Sequence, residues 1–221
     1  MKYFIFSIDD GTVFDKQVLD IFKKYDIKAT FNINSGLFSF IWFNEGIPIE
    51  RHDLNFDKYL YEGHEIASHS LTHPHLTMCP GEVIAKEVGE DVLNLERITG
   101  TTVTTFAFPF SDWDERCIDI IKHIHNLKVI RLSDIDTSFK FPKDLHHVKI
   151  TSLEIYDALV LVDQFIKDKD AQLFVFVSHG YDFYMNHSYK QLELLCEKVT
   201  KEKDIAIITM SELSKVIKGV K

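Results

Sequence analysis

Residues 1–34 read MKYFIFSIDDGTVFDKQVLDIFKKYDIKATFNIN. An apolar run of strand length, residues 3–8, stops at two adjacent acids, Asp9 and Asp10, and a glycine, Gly11. Val18, Leu19, Phe22 and Tyr25 then recur at helical spacing, and a second strand-length run opens at Lys28. This order predicts a β-α unit leading into a parallel strand.

The pattern continues to the end of the 221 residues. Strand-length runs at 64–69, 104–110, 127–133, 172–180 and 204–210 alternate with helix-length stretches at 80–100, 115–126, 153–168 and 189–202. Helix 80–100 has Pro80 at its first turn, Glu82 near the positive end of its dipole and Gly100 as its stop. A Phe- and Trp-rich insertion fills 35–49, and a short helix is expected over 56–63. About seven β-α units result, too few for a regular eight-fold barrel but enough for a barrel with an irregular member. No Pro, Gly or Ser cluster marks a linker, so 1–221 is expected to form one domain.

A net charge of −9 without a Lys/Arg cluster excludes broad nucleic-acid binding and leaves a small molecule or glycan as the expected partner. Cys79, Cys117 and Cys196 are odd in number and far apart, which predicts neither a disulfide framework nor a thiolate metal site. They are expected in the core. Neither a signal peptide nor a membrane span is visible, which predicts a soluble, cytoplasmic protein unless a leader has been removed.

Polar residues gather past the strand ends, in SIDDG (7–11), ASHSLTH (67–73), AFPFS (107–111) and VSHG (177–180). Parallel α/β folds assemble their sites on that rim. His69 and His73 stand four apart, so a helical turn would direct both imidazoles at one metal ion. The same spacing also suits surface or capping histidines, as His75 illustrates; His123 and His125 are expected at the surface. Asp9 and Asp10 suit a helix cap or turn as well as a site. Joined to two imidazoles, one carboxylate completes a three-ligand site for zinc or another divalent ion. Adjacent residues of an extended chain point opposite ways, so a bend at Gly11 is needed for both acids to serve one site. His179, ending an apolar strand, suits a general acid with a pKa near neutrality, or simply a polar strand terminus.

SIDDG, HSLTH, FPF and VSH stand in the order and rough spacing of the NodB-type polysaccharide deacetylases, carbohydrate esterase family 4, and the chain resembles that family from residue 3 to about 210. GHEIASHSLTHPHLT, 63–77, is the most specific stretch. The resemblance implies a distorted (β/α)7 barrel and a metal-dependent hydrolase that removes N-acetyl groups from N-acetylglucosamine-containing glycans. It implies Asp10, His69 and His73 as metal ligands, usually to zinc and sometimes to cobalt or another divalent ion. Asp9 would be the general base and His179 the general acid, with Val177 at the apolar position of that motif. Ser70 and Thr72 would orient the ligand loop, and the Phe110 N–H would stabilise the oxyanion, since Pro109 has none.

The chain departs from the family at FAFPF, 106–110, where many members carry an arginine beside the base. Arg131 resembles the arginine of a subgroup and is expected to pair with Asp9 instead. Trp113, in SDWD, is expected to pack or to line the groove, and Asp182, or Asp134 and Asp136, to orient His179. Phe38, Trp42, Phe43, Tyr181 and Tyr184 are either core residues or platforms for sugar rings. Other readings keep the same machinery on a cyclic ureide, imide or formyl-amide, or keep the scaffold as a carbohydrate-binding relative without activity. A two-His-one-carboxylate iron oxygenase is disfavoured by the β-α alternation.

Overall fold

The computed structural model describes residues 1–55, 57 and 59–220. The opening stretch forms β1 (Lys2–Asp9), α1 (Asp15–Lys24) and β2 (Thr30–Ile33). Both faces of β1 are covered, which explains why its sequence is a continuous apolar run. Phe4, Phe6 and Ile8 pack outward with Val18 and Phe22 of α1, whereas Ile5 faces a smaller inner cluster with Val129, Val175 and Val177. By the same alternation Ser7 and Asp9 lie on the inner side.

The chain continues through β3 (Ile41–Asn44), β4 (Ile47–Glu50), β5 (Glu65–Ser68), α2 (Gly81–Thr99), β6 (Thr105–Ala107), α3 (Glu115–Ile121) and β7 (Val129–Ile135). It then adds β8 (Val148–Ile150), α4 (Ile155–Lys167), β9 (Leu173–His179), α5 (Gly180–Met185), α6 (Tyr189–Lys201), β10 (Ile205–Ile207) and α7 (Met210–Val220). The parallel sheet runs β1-β2-β5-β6-β7-β8, and β9 pairs with β1 along residues 3–9. β10 shares the opposite edge of β1 with β2, taking residues 2–4 while β2 takes 7–9. Past β8, Thr151 N–H donates to Val175 O at 2.7 Å and Val177 N–H to Ser152 O at 2.9 Å. These bonds bring the two ends of the curled sheet together as a distorted barrel.

The seven expected strands include the run that forms β10 and omit β8; the curl consists of β1, β2 and β5 to β9, with β10 beside it on the edge of β1. α7 lies across the end remote from the acids: Met210 N–H donates to Thr30 Oγ1 at 2.9 Å, Ser211 N–H to Glu65 Oε2 at 3.0 Å, and Leu213 joins the inner cluster. The insertion at 35–49 contains the antiparallel β3-β4 hairpin, whose two-residue turn, Glu45-Gly46, has positive φ at both positions as the strand twist demands. Phe56 and Lys58 of the expected short helix lie outside the described residues. Residues 59–63 form turns instead, with i to i+3 bonds such as Glu62 N–H to Tyr59 O at 3.0 Å. The helix expected to reach 126 stops at Ile121, and His123 and His125 are exposed beyond it. All three cysteines are free, with Cys117 and Cys196 buried and Cys79 partly so.

α1 and α5 meet beneath the acid end of β1. Asp15 is fully buried there, accepting from Tyr61 Oη at 2.8 Å and Thr12 Oγ1 at 3.4 Å, and burial pushes its pKa up to about 8 against those bonds. Gly180 lies flat against it: a Cβ at 180 would strike Asp15 Oδ1 and sit 2.9 Å from its backbone nitrogen. Gly180→Ala is therefore expected to destabilise the fold by about 1–3 kcal/mol. At roughly 2–4 °C per kcal/mol, calorimetry reads this as a clear fall in Tm; an unchanged Tm would mean that Asp15 gives way freely.

Candidate active site

The two acids separate at the end of β1 because the backbone turns there. Asp10 has φ of 80° and Gly11 of 64°, so the bend begins one residue earlier than the glycine that predicts it. Left-handed geometry costs a non-glycine residue about 1–3 kcal/mol and persists only where surrounding contacts enforce it. At Gly11 a side chain would also meet Ile33 Cδ1 at 2.6 Å. Asp9 keeps its inward direction, and Asp10 is redirected towards the histidines past β5.

Asp10, His69 and His73 offer ligand atoms that all lie within 4.8 Å of one another. The histidines sit on an irregular loop, not on the helical turn expected from their spacing: Ser70 and His73 have φ of 66° and 55°. His69 Nδ1 donates to Ala107 O at 2.9 Å, which leaves Nε2 unprotonated and 3.9 Å from Asp10 Oδ1. His73 Nε2 lies 3.5 Å from the same oxygen. Burial holds His69 well below, and His73 below, the usual imidazole pKa, so both present neutral nitrogens. Burial works against the Asp10 carboxylate, but the charges of Arg51 and then His179 outweigh it and keep its pKa low. A carboxylate and two neutral imidazoles, one with its second nitrogen fixed by a carbonyl, suit a divalent cation.

The loop is braced from several sides. Ser70 Oγ accepts from His73 N–H at 3.1 Å, and Asn34 Nδ2 donates to Ser70 O at 2.8 Å. From α2, Glu87 accepts from Thr72 N–H at 2.8 Å and Thr72 Oγ1 at 2.7 Å, while Asp91 accepts from Ser68 Oγ at 2.6 Å and Ser35 N–H at 2.7 Å.

Asp9 accepts from Arg131 Nη2 at 2.7 Å and from Asn32 Nδ2 at 2.6 Å. Arg131 is 1% exposed and reaches across the barrel interior from β7 to β1, which are not neighbours in the sheet. His179 Nδ1 donates to Asp182 Oδ2 at 2.8 Å, so Asp182 is the acid that orients it. Asp134 instead accepts from Trp113 Nε1 at 2.9 Å, and Asp136 from Ser138 N–H at 2.8 Å. His179 Nε2 lies 4.0 Å from Asp10 Oδ2. Burial disfavours its imidazolium, yet the Asp182 hydrogen bond and the charges of Asp10 and Asp9 prevail and raise its pKa to about 9, above the neutrality expected from the sequence.

These residues enclose a cavity of about 230 Å³ whose walls include Asp9, Asp10, His69, His73, Arg131 and His179. Phe110 and Val177 also line it. Phe110 has φ of 57°, stacks its ring on His75 at 3.9 Å, and its N–H makes no hydrogen bond among the described residues. Trp113 does not reach this cavity; it packs against the outer core. A groove of about 360 Å³ continues from the cavity past Trp42, Phe40, Phe110 and Tyr181. Of the other aromatics, Phe38 packs on the core, Tyr184 packs against Phe14 at 4.6 Å, and Phe43 points to solvent. Two participants have no motif to betray them: Asn34, and Arg51, which bonds Asp10 from beyond the hairpin.

In metal-free protein, NMR titration is expected to find the His179 imidazole protonated up to about pH 9, and Asp182→Asn to lower that pKa by about one unit or more. The sign follows from the shift: stability contributed by this group is complete below its unfolded value near 6.5 and is lost as pH rises through 9. An unchanged pKa in Asp182→Asn would assign the upward shift to other charges.

The family model described as polysaccharide deacetylase matches residues 1–127. Chitin deacetylase 1 of Cryptococcus neoformans var. grubii is 29% identical over 133 residues, covering 60% of this chain and 26% of that protein. This chain spans only 26%, 34% and 29% of the length of three curated relatives that it matches. Among solved structures, a family 4 acetyl xylan esterase from Clostridium thermocellum, in complex with a cobalt ion, superposes with a TM-score of 0.65 at 18% identity, covering 97% of this chain and 91% of that one. Peptidoglycan deacetylase PdaC from Bacillus subtilis gives 0.63 at 21%, covering 99% and 93%. The fold is shared with both, and the match over more than half of its length shows that this chain belongs to the polysaccharide deacetylase family.

Proposed function

We propose that this chain is a divalent-metal-dependent amide hydrolase that removes N-acetyl groups from an N-acetylglucosamine-containing poly- or oligosaccharide. The observation that carries this reading is the cavity in which an Asp-His-His cluster, an arginine-held carboxylate and an aspartate-held imidazolium face one another. Asp10, His69 and His73 would hold the cation, with zinc the first candidate and cobalt or another divalent ion as alternatives. When bound, it would supply Lewis-acid polarisation of the acyl carbonyl and a lowered pKa for attacking water.

Asp9 takes the proton from the attacking water. Its hydrogen bonds to Arg131 and Asn32 fix the carboxylate and leave it no freedom to compete with Asp10 for the cation. The Phe110 N–H, which makes no hydrogen bond among the described residues, is the donor proposed for the developing oxyanion. His179, kept protonated at neutral pH by Asp182, delivers a proton to the departing amine. The groove past Trp42 and Tyr181 suits a sugar ring, whose C–H faces pack on aromatic surfaces. No helix among the described residues is long and apolar enough to cross a membrane.

Acetate release from N-acetylated chito-oligosaccharides, measured beside metal content, tests the assignment. Asp9→Asn is expected to retain metal and to lose turnover by roughly 10²- to 10⁴-fold, the usual worth of a general base. His69→Ala and His73→Ala are expected to lose both metal and activity. Asp9→Asn working at the normal rate would refute the role of Asp9, and a purified protein that binds no divalent ion would refute the metal reading.

Arg131→Ala is expected to lower kcat, through the loss of the guanidinium that holds Asp9, while metal content stays near normal. Full activity in that variant would show that Asp9 is positioned by Asn32 alone.

A further inference from the structure

Arg51 is 5% exposed and is held through its backbone and both terminal guanidinium nitrogens. Its N–H donates to Phe40 O at 3.0 Å, it bridges to Thr12, and the next residue, His52, donates its N–H to Gly11 O at 2.8 Å. The hairpin is thereby stitched to the segment just past Asp10. Arg51 Nη1 donates to Asp10 O at 2.8 Å and to Asn34 Oδ1, and Nη2 donates to Asp10 Oδ1 at 3.0 Å. Trp42 lies over the guanidinium at 5.1 Å.

The oxygen that Arg51 bonds is the one that faces the imidazoles. Asp10 Oδ1 lies 3.5 Å from His73 Nε2 and 3.9 Å from His69 Nε2, so a cation drawn to the three-ligand cluster meets a fixed positive charge on the same carboxylate. Asp10 with two neutral imidazoles carries one negative charge; with Arg51 the cluster carries none. Asp9 and Arg131 cancel in the same way, so no surplus negative charge remains at the site to attract the ion.

We infer that Arg51 is a built-in counter-cation of Asp10: it holds the buried carboxylate in place without metal, and it opposes the metal once bound, setting the site to exchange its ion instead of retaining it. This rests on the metal reading proposed above. Two effects compete. Losing an outer partner of a ligand usually weakens metal affinity by about 10–100-fold. Repulsion between a divalent ion and a guanidinium sharing one buried carboxylate is stronger at contact distance, even with generous dielectric screening. Removing the charge is therefore expected to tighten binding, although the donor that orders Asp10 is lost as well.

The test compares wild type, Arg51→Gln and Arg51→Lys as metal-stripped full-length chains. Zn2+ affinity is read by competition with a chromophoric chelator and stability by thermal unfolding. Arg51→Gln is expected to bind Zn2+ about tenfold or more tightly than wild type while its metal-free form unfolds at a lower temperature, because Asp10 has lost its partner. Arg51→Lys, which keeps the charge, is expected to stay within about threefold of wild type. Opposite movements of metal affinity and metal-free stability are what a purely structural role does not produce. Equal or weaker Zn2+ binding in Arg51→Gln overturns the inference, as does equal tightening in Arg51→Lys. Should Arg51→Gln fold only with metal, its Zn2+ release rate from the loaded protein is measured instead; slower release than wild type supports the inference and faster release overturns it. A wild type that binds no divalent ion overturns the metal reading itself, whereas one that binds Zn2+ and is not surpassed by Arg51→Gln overturns only the opposing role of Arg51.

Discussion

Two carboxylates on consecutive residues, each 5% exposed, lose hydration and repel each other in a protein interior unless separate positive partners compensate. Asp9 and Asp10 have them: Arg131 arrives through the barrel from β7, and Arg51 arrives over the top from the hairpin. The two ion pairs do more than neutralise charge. They hold the carboxylates in different directions, one into the barrel and one towards the histidine loop, and so make chemically identical side chains inequivalent.

The architecture serves that separation. A closed-up parallel barrel brings β1 and β7 to face each other although four sheet steps divide them, which lets a single arginine side chain reach Asp9. The same curvature sets the loops after β5, β6 and β9 around the end of β1, where His69, Phe110 and His179 meet the acids. α2 braces the histidine loop through Glu87 and Asp91, and α5 opens with Asp182 closing back on His179. The covalent order of the chain is thus turned into one rim by hydrogen bonds that join elements far apart in sequence.

Much of this was legible in the residues themselves. The alternation of apolar runs and amphipathic stretches led to the parallel barrel because β1, β2 and β9 are buried on both faces, and the Asp-His-His cluster was readable from polar residues clustered past the strand ends. The Arg131 pairing was suggested by a gap, the absence of an arginine in FAFPF. Other parts left no local trace. β8 is three residues long, too short to form a recognisable run, and β3-β4 looked like an aromatic insertion because its strands are half exposed. Arg51 sits in RHD beside no motif, and only the tertiary fold of the hairpin carries it to Asp10. The bend at Asp10 was expected at Gly11 because glycine is the usual holder of positive φ; here Arg51 and the Asp10 N–H bond to Asn32 O at 3.0 Å help to hold an aspartate in it. Trp113 had the right residue type for a groove wall, yet its indole found a partner in Asp134 on the outer side.

The proposed division of labour between the two aspartates is examined most directly by anomalous diffraction from crystals loaded with Zn2+ or Co2+. One strong peak bonded to Asp10, His69 and His73 is expected, with Asp9 still on Arg131 and outside the coordination sphere. A peak ligated by Asp9, or one seated on His179 and Asp182, would contradict it.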